Sequence, residues 1–190
     1  MHPLLVMALE QEGSAHLTAL GYEVLLCGVG KVNATHALTR RLVVASQRHE
    51  DIPWVLNLGS AGSHRFSAGQ LVEAGHFVQR DMDVRGLGFA LGETPFESDT
   101  PIIETTRRFI HLPHATCATG DSFVQEPPAL AGDIVDMEAY ALAKVCQRES
   151  VPFACVKYIT DGADGQAASD WKTNCARAEQ AFAVLLTQYA

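Results

Sequence analysis

The amino-acid sequence predicts an α/β fold, a single-domain layered fold with a mixed, largely parallel central sheet flanked by helices. Apolar runs of strand length alternate with longer amphipathic stretches, an order typical of this fold class. The 190 residues, of which 47% are hydrophobic, are enough for one sizeable core. Because no repeat, low-complexity tract or linker interrupts the sequence, we expect a single domain over residues 1–190.

Six apolar runs predict strands, because aliphatic and β-branched residues dominate them. They lie at residues 4–8, 23–27, 54–58, 71–79, 115–118 and 153–160. Amphipathic stretches predict helices at residues 12–20, 32–47, 105–110, 137–149 and 169–188. Residues 80–97 contain three glycines and little periodicity, which predicts a long loop of the kind that serves binding or assembly.

The composition argues against several classes of function. The net charge of -8 disfavours nucleic acid and anionic membranes as partners. No apolar stretch approaches the ~20 residues of a membrane span, and we expect no signal peptide, because Met1-His2-Pro3 leads directly into the first predicted strand. The cysteines form no C-x-x-C pair and the histidines show no metal-binding spacing. We therefore expect a cytoplasmic protein with reduced cysteines, no metal and no cofactor.

The strand predicted at residues 153–160 ends in an acid, because Asp161-Gly162 follows it directly. In open α/β sheets, ligands bind in the crevice outside the carboxyl ends of the parallel strands. A carboxylate at that place can act as a general acid. Asp-Gly is also common turn chemistry, so a capping role for Asp161 stays open at this point.

Acidic residues also lie at two other element boundaries. Glu10 and Glu12 follow the first strand, where they can start a helix or provide a general base that faces Asp161. Glu138 lies at the start of a predicted helix, with Asp136 as a candidate N-cap. A buried carboxylate can instead accept hydrogen bonds from two vicinal hydroxyls, which makes Glu138 a candidate ribose ligand.

Small or aromatic residues follow three other predicted strands. Gly59-Ser-Ala-Gly62 lets a ligand approach the backbone, although a tight turn explains the same residues. Gly28-Val-Gly-Lys31 lacks the spacing and the hydroxyl of a P-loop, so we interpret its glycines as close packing of a helix against a strand. Phe123, at the end of Gly120-Asp-Ser-Phe, can stack on a planar base or belong to the core.

Seven segments in this order resemble the purine nucleoside phosphorylase and nucleosidase superfamily, most closely its 5′-methylthioadenosine/S-adenosylhomocysteine nucleosidase branch. Each segment alone is weak evidence for the resemblance, but together the segments span nearly the whole chain. They lie at residues 8–12, 28–31, 59–62, 81–95, 120–124, 135–139 and 159–164. The resemblance implies an N-glycosyl hydrolase that acts on a purine nucleoside, in the first place a 5′-modified adenine nucleoside.

The resemblance gives individual residues their expected roles. Asp161 is the expected general acid that protonates N7 of the purine, and Glu12 is the expected base for water. Glu138, beside Met137, is expected to bind the ribose hydroxyls, and Phe123 to stack on the base. The remaining expected contacts are Val124, whose backbone reads the base edge, and the lining residues Leu9, Ser60, Ala61 and Gly62.

The expected chemistry has a physical reason. A purine anion is a poor leaving group, whereas a purine protonated at N7 leaves as a neutral molecule. The ribosyl fragment then acquires positive charge, and Glu12 and Glu138 carry the sign that stabilises it.

The resemblance also implies a homodimer. Leu87, Phe89 and Pro95 match positions that reach into the 5′-substituent pocket of a neighbouring subunit. Trp171 falls where the family places an aromatic residue over that pocket. A small-molecule nucleoside and a second copy of the chain are therefore the expected partners.

Hydrolysis and phosphorolysis require different charges near the reacting carbon. Phosphorolysis needs cations, typically arginines in the first loop and before the Gly-Ser turn. This chain has Glu10 and Glu12 in the first loop and Leu56-Asn-Leu58 before the turn, which suits water and repels phosphate. We expect hydrolysis, with a phosphorylase, a futalosine-type nucleosidase or an inactive nucleoside-binding protein as alternatives.

The chain departs from the branch that it resembles at several positions. Leu9 replaces a methionine, Ser63 a glycine and Lys157 an arginine, and Gln79-Arg80 stands where an aromatic and a histidine are common. These changes leave the expected chemistry intact and concern mainly the 5′-substituent pocket.

Overall fold

Eight strands form one mixed sheet in the computed structural model, which describes residues 2–125, 128–164 and 167–188. The strands are β1 (Leu4–Met7), β2 (Val24–Leu26), β3 (Val55–Gly62), β4 (Leu71–Gln79), β5 (Ile103–Glu104), β6 (His114–Thr119), β7 (Ile134–Asp136) and β8 (Phe153–Asp161). The α-helices are α1 (Ser14–Ala19), α2 (Lys31–Arg48), α3 (Ala139–Glu149) and α4 (Ala167–Thr187), and short 3₁₀ turns lie at Glu10–Glu12 and Arg85–Leu87.

The sheet closes on itself. Its strand order is β2-β1-β3-β7-β6-β4-β5, and β8 pairs with both β3 and β4. The strands β3, β8, β4, β6 and β7 therefore form a closed circuit, which the pairing of Gly62 with Val135 completes. Parallel pairs predominate, with antiparallel pairs at β3–β7, β4–β5 and β4–β8. The predicted mixed, largely parallel sheet is confirmed.

Helices cover this sheet on two sides. Side chains of α2 and α3 belong to one buried cluster, which contains Leu38, Leu142 and Phe77. Side chains of α1 and α4 belong to a second cluster, which contains Leu17 and Phe182. The buried residues of α2 recur at helical spacing, so a single stripe of the helix faces the sheet: Ala34, Leu38, Leu42 and Ala45.

The structure corrects two local predictions. The strand predicted over residues 54–58 continues to Gly62, so the Gly-Ser-Ala-Gly segment is part of β3 and not a turn after it. The helix predicted over residues 105–110 is wrong. The backbone N–H groups of Arg108 and Phe109 donate to the buried carboxylate of Glu73, at 2.6 and 3.1 Å, instead of to helical carbonyls.

Two short strands, of two and three residues, are not predicted by the sequence. These are β5 and β7. Across the described ranges, no helix combines the length and the apolar character needed to cross a membrane.

Candidate active site

One cavity of about 330 Å³ brings most of the predicted site residues together. Glu12 and Asp161, far apart in sequence, both line it. The other predicted residues that line this cavity are Leu9, Ser60, Ala61, Gly62, Phe123, Val124, Met137, Glu138 and Trp171. The closed circuit of strands explains this convergence, because it places the ends of β3, β7 and β8 next to one another.

Glu12 is held by three hydrogen bonds and is only 3% exposed. Its Oε1 accepts from the backbone N–H and from the hydroxyl of Ser60, both at 2.8 Å. Its Oε2 accepts from the backbone N–H of Leu9 at 3.1 Å. The indole Nε1 of Trp171 donates to Ser60 Oγ at 3.0 Å. The position of the Glu12 carboxylate is therefore fixed by two separate segments of backbone.

Asp161 ends β8 and is also buried. Its Oδ1 accepts from the backbone N–H of Ala163 at 2.9 Å, and its Oδ2 accepts from the hydroxyl of Thr160 at 2.7 Å. The bond to Ala163 caps the turn after β8. Asp161 therefore stabilises this turn and also lines the cavity. A Cβ atom at Gly62 would lie 2.5 Å from Oδ1 of Asp161, which explains why a glycine faces this carboxylate.

Glu138 lies immediately before α3 and is 7% exposed. Its Oε1 accepts from the backbone N–H of Gly30 at 2.8 Å, and no donor in the described ranges reaches Oε2. Burial, followed by the nearby charge of Asp136, raises the pKa of Glu138 to about 7. One carboxylate oxygen is therefore left for a ligand.

The packing interpretation of the Gly28-Val-Gly-Lys31 segment is wrong. Gly28 and Gly30 have φ angles of 78° and 92°, in the region that glycine adopts most readily. This loop conformation directs the Gly30 N–H to Glu138, and Val29 lines the cavity. The glycines therefore shape the site.

A buried ion pair lies beside these carboxylates. Nζ of Lys157 lies 2.8 Å from Oδ2 of Asp136, and the same oxygen accepts the backbone N–H of Ala139 at 2.8 Å. The N-cap residue of α3 is Glu138, so the prediction of Asp136 as the N-cap is wrong, although its carboxylate bonds the first N–H of the helix. Burial opposes both charges, but mutual attraction outweighs it: the pKa of Asp136 is lowered and the pKa of Lys157 is raised well above its ordinary value. Lys157 thus supplies positive charge beneath a cavity rich in acids.

The loop that follows β6 carries Phe123 and Val124 into the cavity wall. Phe123 is 48% exposed, so the alternative that it is a core residue is wrong. The guanidinium of Arg80 holds this loop: it donates to the carbonyl of Gly120 at 3.0 Å, to the hydroxyl of Ser122 at 2.9 Å and to the carbonyl of Ser122.

Three predicted site residues lie outside the cavity lining. Leu87 is 72% exposed, and the ring of Phe89 packs edge-to-face on Phe96 at 5.4 Å, in the loop that also contains Pro95. Their expected role is in the site of a neighbouring subunit. A single chain does not test that role, and it stays a prediction.

The sequence interpretation missed three charged residues of the site: Arg80, Asp136 as a cavity residue, and Lys157. Lys157 carries a usable signal, because a lysine within an apolar strand run needs a buried partner. Arg80 directly follows a strand, which is the same signal that identified Asp161. Among the residues that the structure describes, no group of three or more His, Cys, Asp or Glu side chains is placed to hold a metal ion.

Comparison with known proteins identifies the family. The sequence model of the phosphorylase superfamily matches residues 11–190. The chain belongs to this superfamily. A 5′-methylthioadenosine/S-adenosylhomocysteine nucleosidase of Bacillus cereus is 30% identical over 164 residues, which cover 74% of this chain and 69% of that protein. The enzyme of the same name from Anoxybacillus flavithermus is 30% identical over 171 residues, or 78% and 71% of the two chains.

Solved structures show the same fold. A futalosine hydrolase mutant of Helicobacter pylori superposes with a TM-score of 0.83 at 22% identity, covering 98% of this chain and 97% of that one. The 5′-methylthioadenosine/S-adenosylhomocysteine nucleosidase of the same organism gives a TM-score of 0.82 at 22% identity, covering 99% and 98%. The resemblance inferred from the sequence is confirmed, and the names of the relatives agree with the predicted class of enzyme, an N-glycosyl hydrolase.

Proposed function

We propose that this protein hydrolyses the N-glycosidic bond of a purine nucleoside, in the first place an adenine nucleoside with a modified 5′ position. The observation that carries the proposal is the convergence of Glu12, Glu138 and Asp161, from three separate segments, on one cavity. The curated relatives are nucleosidases by name, and a mutant of the Helicobacter pylori nucleosidase has been crystallised with 5′-methylthioadenosine in its active site.

In the proposed reaction, Asp161 donates a proton to N7 of the purine as the bond to the ribose breaks. Its two oxygens are oriented by Thr160 and Ala163, so the carboxyl group is held at the wall before the substrate arrives. The base then leaves as a neutral molecule. A positioned general acid of this kind contributes roughly 10²–10⁴-fold to the rate.

Glu12 and Glu138 act on the ribosyl fragment. The free oxygen of Glu138 accepts hydrogen bonds from the ribose hydroxyls, and its negative charge stabilises the developing cation. Glu12 orients the attacking water and takes its proton. Because the bonds from Ser60 and Leu9 hold Glu12 in place, little reorganisation is needed during the reaction.

The surroundings of Glu12 favour water over phosphate as the nucleophile. The groups that bond to its carboxylate are neutral donors of Ser60 and Leu9. A phosphate ion at this position would face the Glu12 carboxylate, whereas phosphate sites are usually built from arginines and backbone N–H groups.

A homodimer and a cytoplasmic location complete the proposal. Leu87 and Phe96 are 72% and 92% exposed on the loop after β4, and Val32 at the start of α2 is 78% exposed. A second copy that covers these side chains would remove apolar surface from water. Sedimentation analysis of the purified protein tests this point, and a monomer at micromolar concentration would contradict it.

A panel of nucleosides tests the proposed reaction. The protein is incubated with 5′-methylthioadenosine, S-adenosylhomocysteine, adenosine, inosine and futalosine, with and without phosphate. Free base and free sugar without phosphate support hydrolysis. A ribose 1-phosphate that appears only with phosphate would show a phosphorylase, and tight binding without cleavage would show an inactive binding protein.

The Asp161→Asn variant tests the assignment of the general acid. We expect kcat on the best substrate of the panel to fall by roughly 10²–10⁴-fold with KM changed little, because asparagine cannot supply the proton. Asp164→Asn, an exposed neighbour of the same loop, is the matched control. Retention of near-normal turnover by Asp161→Asn would show that another group donates the proton.

A further inference from the structure

The loop of residues 120–124 is bonded to two different parts of the molecule. Arg80 donates to the carbonyls of the residues on either side of Asp121. Asp121 itself bonds to the start of α2, where its Oδ1 accepts the backbone N–H of Lys31 at 2.8 Å. Its own backbone N–H donates to Oδ2 of Asp81 at 2.9 Å. The main chain and the side chain of Asp121 are therefore both held in place.

Lys31 joins the two acids that meet at this point. Its ammonium group pairs with Asp81 and lies 3.6 Å from Oδ2 of Asp121, and its side chain is only 15% exposed. Ion pairs near the surface contribute little by themselves. The bond to the Lys31 N–H matters more for position, because it ties the loop to main chain. The N–H of a first helical residue has no acceptor within its own helix, so Asp121 also supplies an acceptor that α2 needs.

The turn that bonds to Asp121 also bonds to the proposed ribose ligand. The backbone N–H of Gly30 donates to Oε1 of Glu138 at 2.8 Å, and the next N–H along the chain, that of Lys31, donates to Asp121. Gly30 has a φ angle of 92°, and a Cβ atom there would lie 3.1 Å from Oδ1 of Asp121. A glycine therefore suits both the turn and the close approach of the acid. Two consecutive peptide groups connect Glu138 with the 120–124 loop.

We propose that Asp121 is a positioning residue that holds Phe123 at a fixed distance from Glu138. Phe123 is the expected contact of the base and Glu138 that of the ribose, so the two parts of the nucleoside are received at a fixed spacing. The inference rests on the proposed function and adds a residue that acts on base binding through the loop. Asp121 is not among the residues that line the cavity, so it has no contact with the ligand of its own.

Binding of formycin A and steady-state kinetics test this role. Formycin A is a fluorescent analogue of adenosine whose base is joined to the sugar by a carbon–carbon bond, so a nucleosidase cannot hydrolyse it. We expect Asp121→Ala to raise its dissociation constant about 10-fold, because the ligand must then order the loop. KM for the best nucleoside of the panel should rise by a similar factor. The value of kcat should change by less than about threefold, because Glu12 and Asp161 keep their own hydrogen bonds.

Two variants separate positioning from a general loss of stability. Asp121→Asn keeps an oxygen that can accept the Lys31 N–H, so it should restore the dissociation constant and KM to within about threefold of the unmodified protein. Glu23→Ala is the matched control, because this exposed acid pairs with Arg41, which keeps Glu50 as a second partner. It should leave all constants unchanged. Partial unfolding would lower the apparent kcat and leave KM unchanged, which is the opposite pattern.

A double-mutant cycle tests whether Asp121 acts through the loop. In a Phe123→Ala background, Asp121→Ala should weaken formycin A by about threefold or less, because the ring that it positions is absent. Equal weakening in both backgrounds would reject the proposal. An unchanged dissociation constant for Asp121→Ala, or failure of Asp121→Asn to restore binding, would reject it as well.

The same measurements distinguish this inference from the proposed function. Normal cleavage of a panel nucleoside with no effect of Asp121→Ala would reject only the role of Asp121. A protein that cleaves no nucleoside of the panel and does not bind formycin A would reject the proposed function itself. Binding of formycin A with the expected pattern, but without cleavage of any nucleoside, would reject the nucleosidase proposal and leave the positioning role standing.

Discussion

Glu12 and Glu138 are two buried glutamates on the wall of the same cavity, yet their surroundings differ. Glu12 accepts three hydrogen bonds, from Ser60 and Leu9. Glu138 accepts one within the described ranges, from the N–H of Gly30, and its pKa is raised to about 7 by burial and then by Asp136. Both oxygens of Glu12 are bonded by the protein, with room for one further donor at Oε2, whereas one oxygen of Glu138 has no donor in the described ranges.

This difference separates two functions that a pair of acids can have. A carboxylate with both oxygens bonded is held in one orientation, which suits the positioning of a single small nucleophile. A carboxylate with a free oxygen can accept from ligand hydroxyls, and a pKa near 7 makes its charge depend on pH. The comparison predicts that changes at the two positions have different kinetic signatures.

The largest effect is expected for Glu12→Gln. Loss of the proposed base should lower kcat by roughly 10²–10⁴-fold, while KM changes little. The amide also brings an NH₂ group towards donors of Ser60 or Leu9, so a loss of stability is expected as well. Steady-state kinetics and thermal unfolding measure the two effects, and Glu10→Gln, an exposed change in the same 3₁₀ turn, is the control. Normal kcat in a folded Glu12→Gln protein would contradict the proposed role.

A smaller effect, divided between KM and kcat, is expected for Glu138→Gln. The glutamine still accepts one hydrogen bond, but the charge that strengthens the contacts to the ribose is lost, so kcat/KM should fall by about 10–100-fold. A 2′-deoxynucleoside substrate sharpens the test. The penalty for removing the 2′-hydroxyl should be large for the unmodified protein and small for the variant. Equal penalties in both proteins would mean that Glu138 does not contact the ribose.

The pH dependence of binding should follow Glu138. Its ionised form predominates above its pKa of about 7, so KM should rise as the pH falls below 7, by about tenfold per pH unit at the limit. Because the pKa is raised above the ordinary 4.5, the folded protein holds a proton between these two values that the unfolded chain releases. Stability contributed by this group therefore falls as the pH rises through that window.

The stability of Glu138→Gln checks the same assignment without substrate. The substitution removes the cost of burying an ionised group, so it should raise the melting temperature more at pH 8 than at pH 5. Glu149→Gln, an exposed change at the end of α3, should show no such pH dependence. An equal shift at both pH values would indicate that Glu138 is not the group that titrates.

The smallest effect is expected for Ser60→Ala. The change removes the hydroxyl that links Glu12 to Trp171, but the backbone N–H of residue 60 still donates to Glu12. We expect kcat to fall by about 3–10-fold, in line with the loss of one hydrogen bond among several. A loss as large as that of Glu12→Gln would show that the hydroxyl itself takes part in the reaction.

The sequence predicts two acids of the site well, because each follows an apolar run that is easy to recognise. These are Asp161 and Glu12, and the strands before them are long or strongly apolar. The sequence does not predict β7, whose three residues carry too little periodicity to reveal a strand. Without β7 the closure of the sheet cannot be foreseen, and closure is what brings Glu138 and Asp136 to the cavity.

Arg80 and Lys157 were missed for different physical reasons. Lys157 interrupts an apolar run, but its partner Asp136 lies in a different strand, and the sequence gives no pairing between them. Arg80 follows a predicted strand into a long loop, where basic residues are usually solvated. Its burial depends on the carbonyls of the loop after β6, a contact between distant parts of the chain.

The buried ion pair constrains how this protein can change over generations. Replacing Lys157 alone leaves the Asp136 carboxylate unpaired in the interior, and replacing Asp136 alone leaves the Lys157 ammonium group unpaired there. Either change typically lowers the free energy of unfolding by about 3–5 kcal/mol. Most single steps away from this arrangement would therefore reduce the amount of folded protein. We expect a cation at position 157 and a carboxylate at position 136 to be inherited together, so that a lineage that has lost one of the two charges has also lost the other.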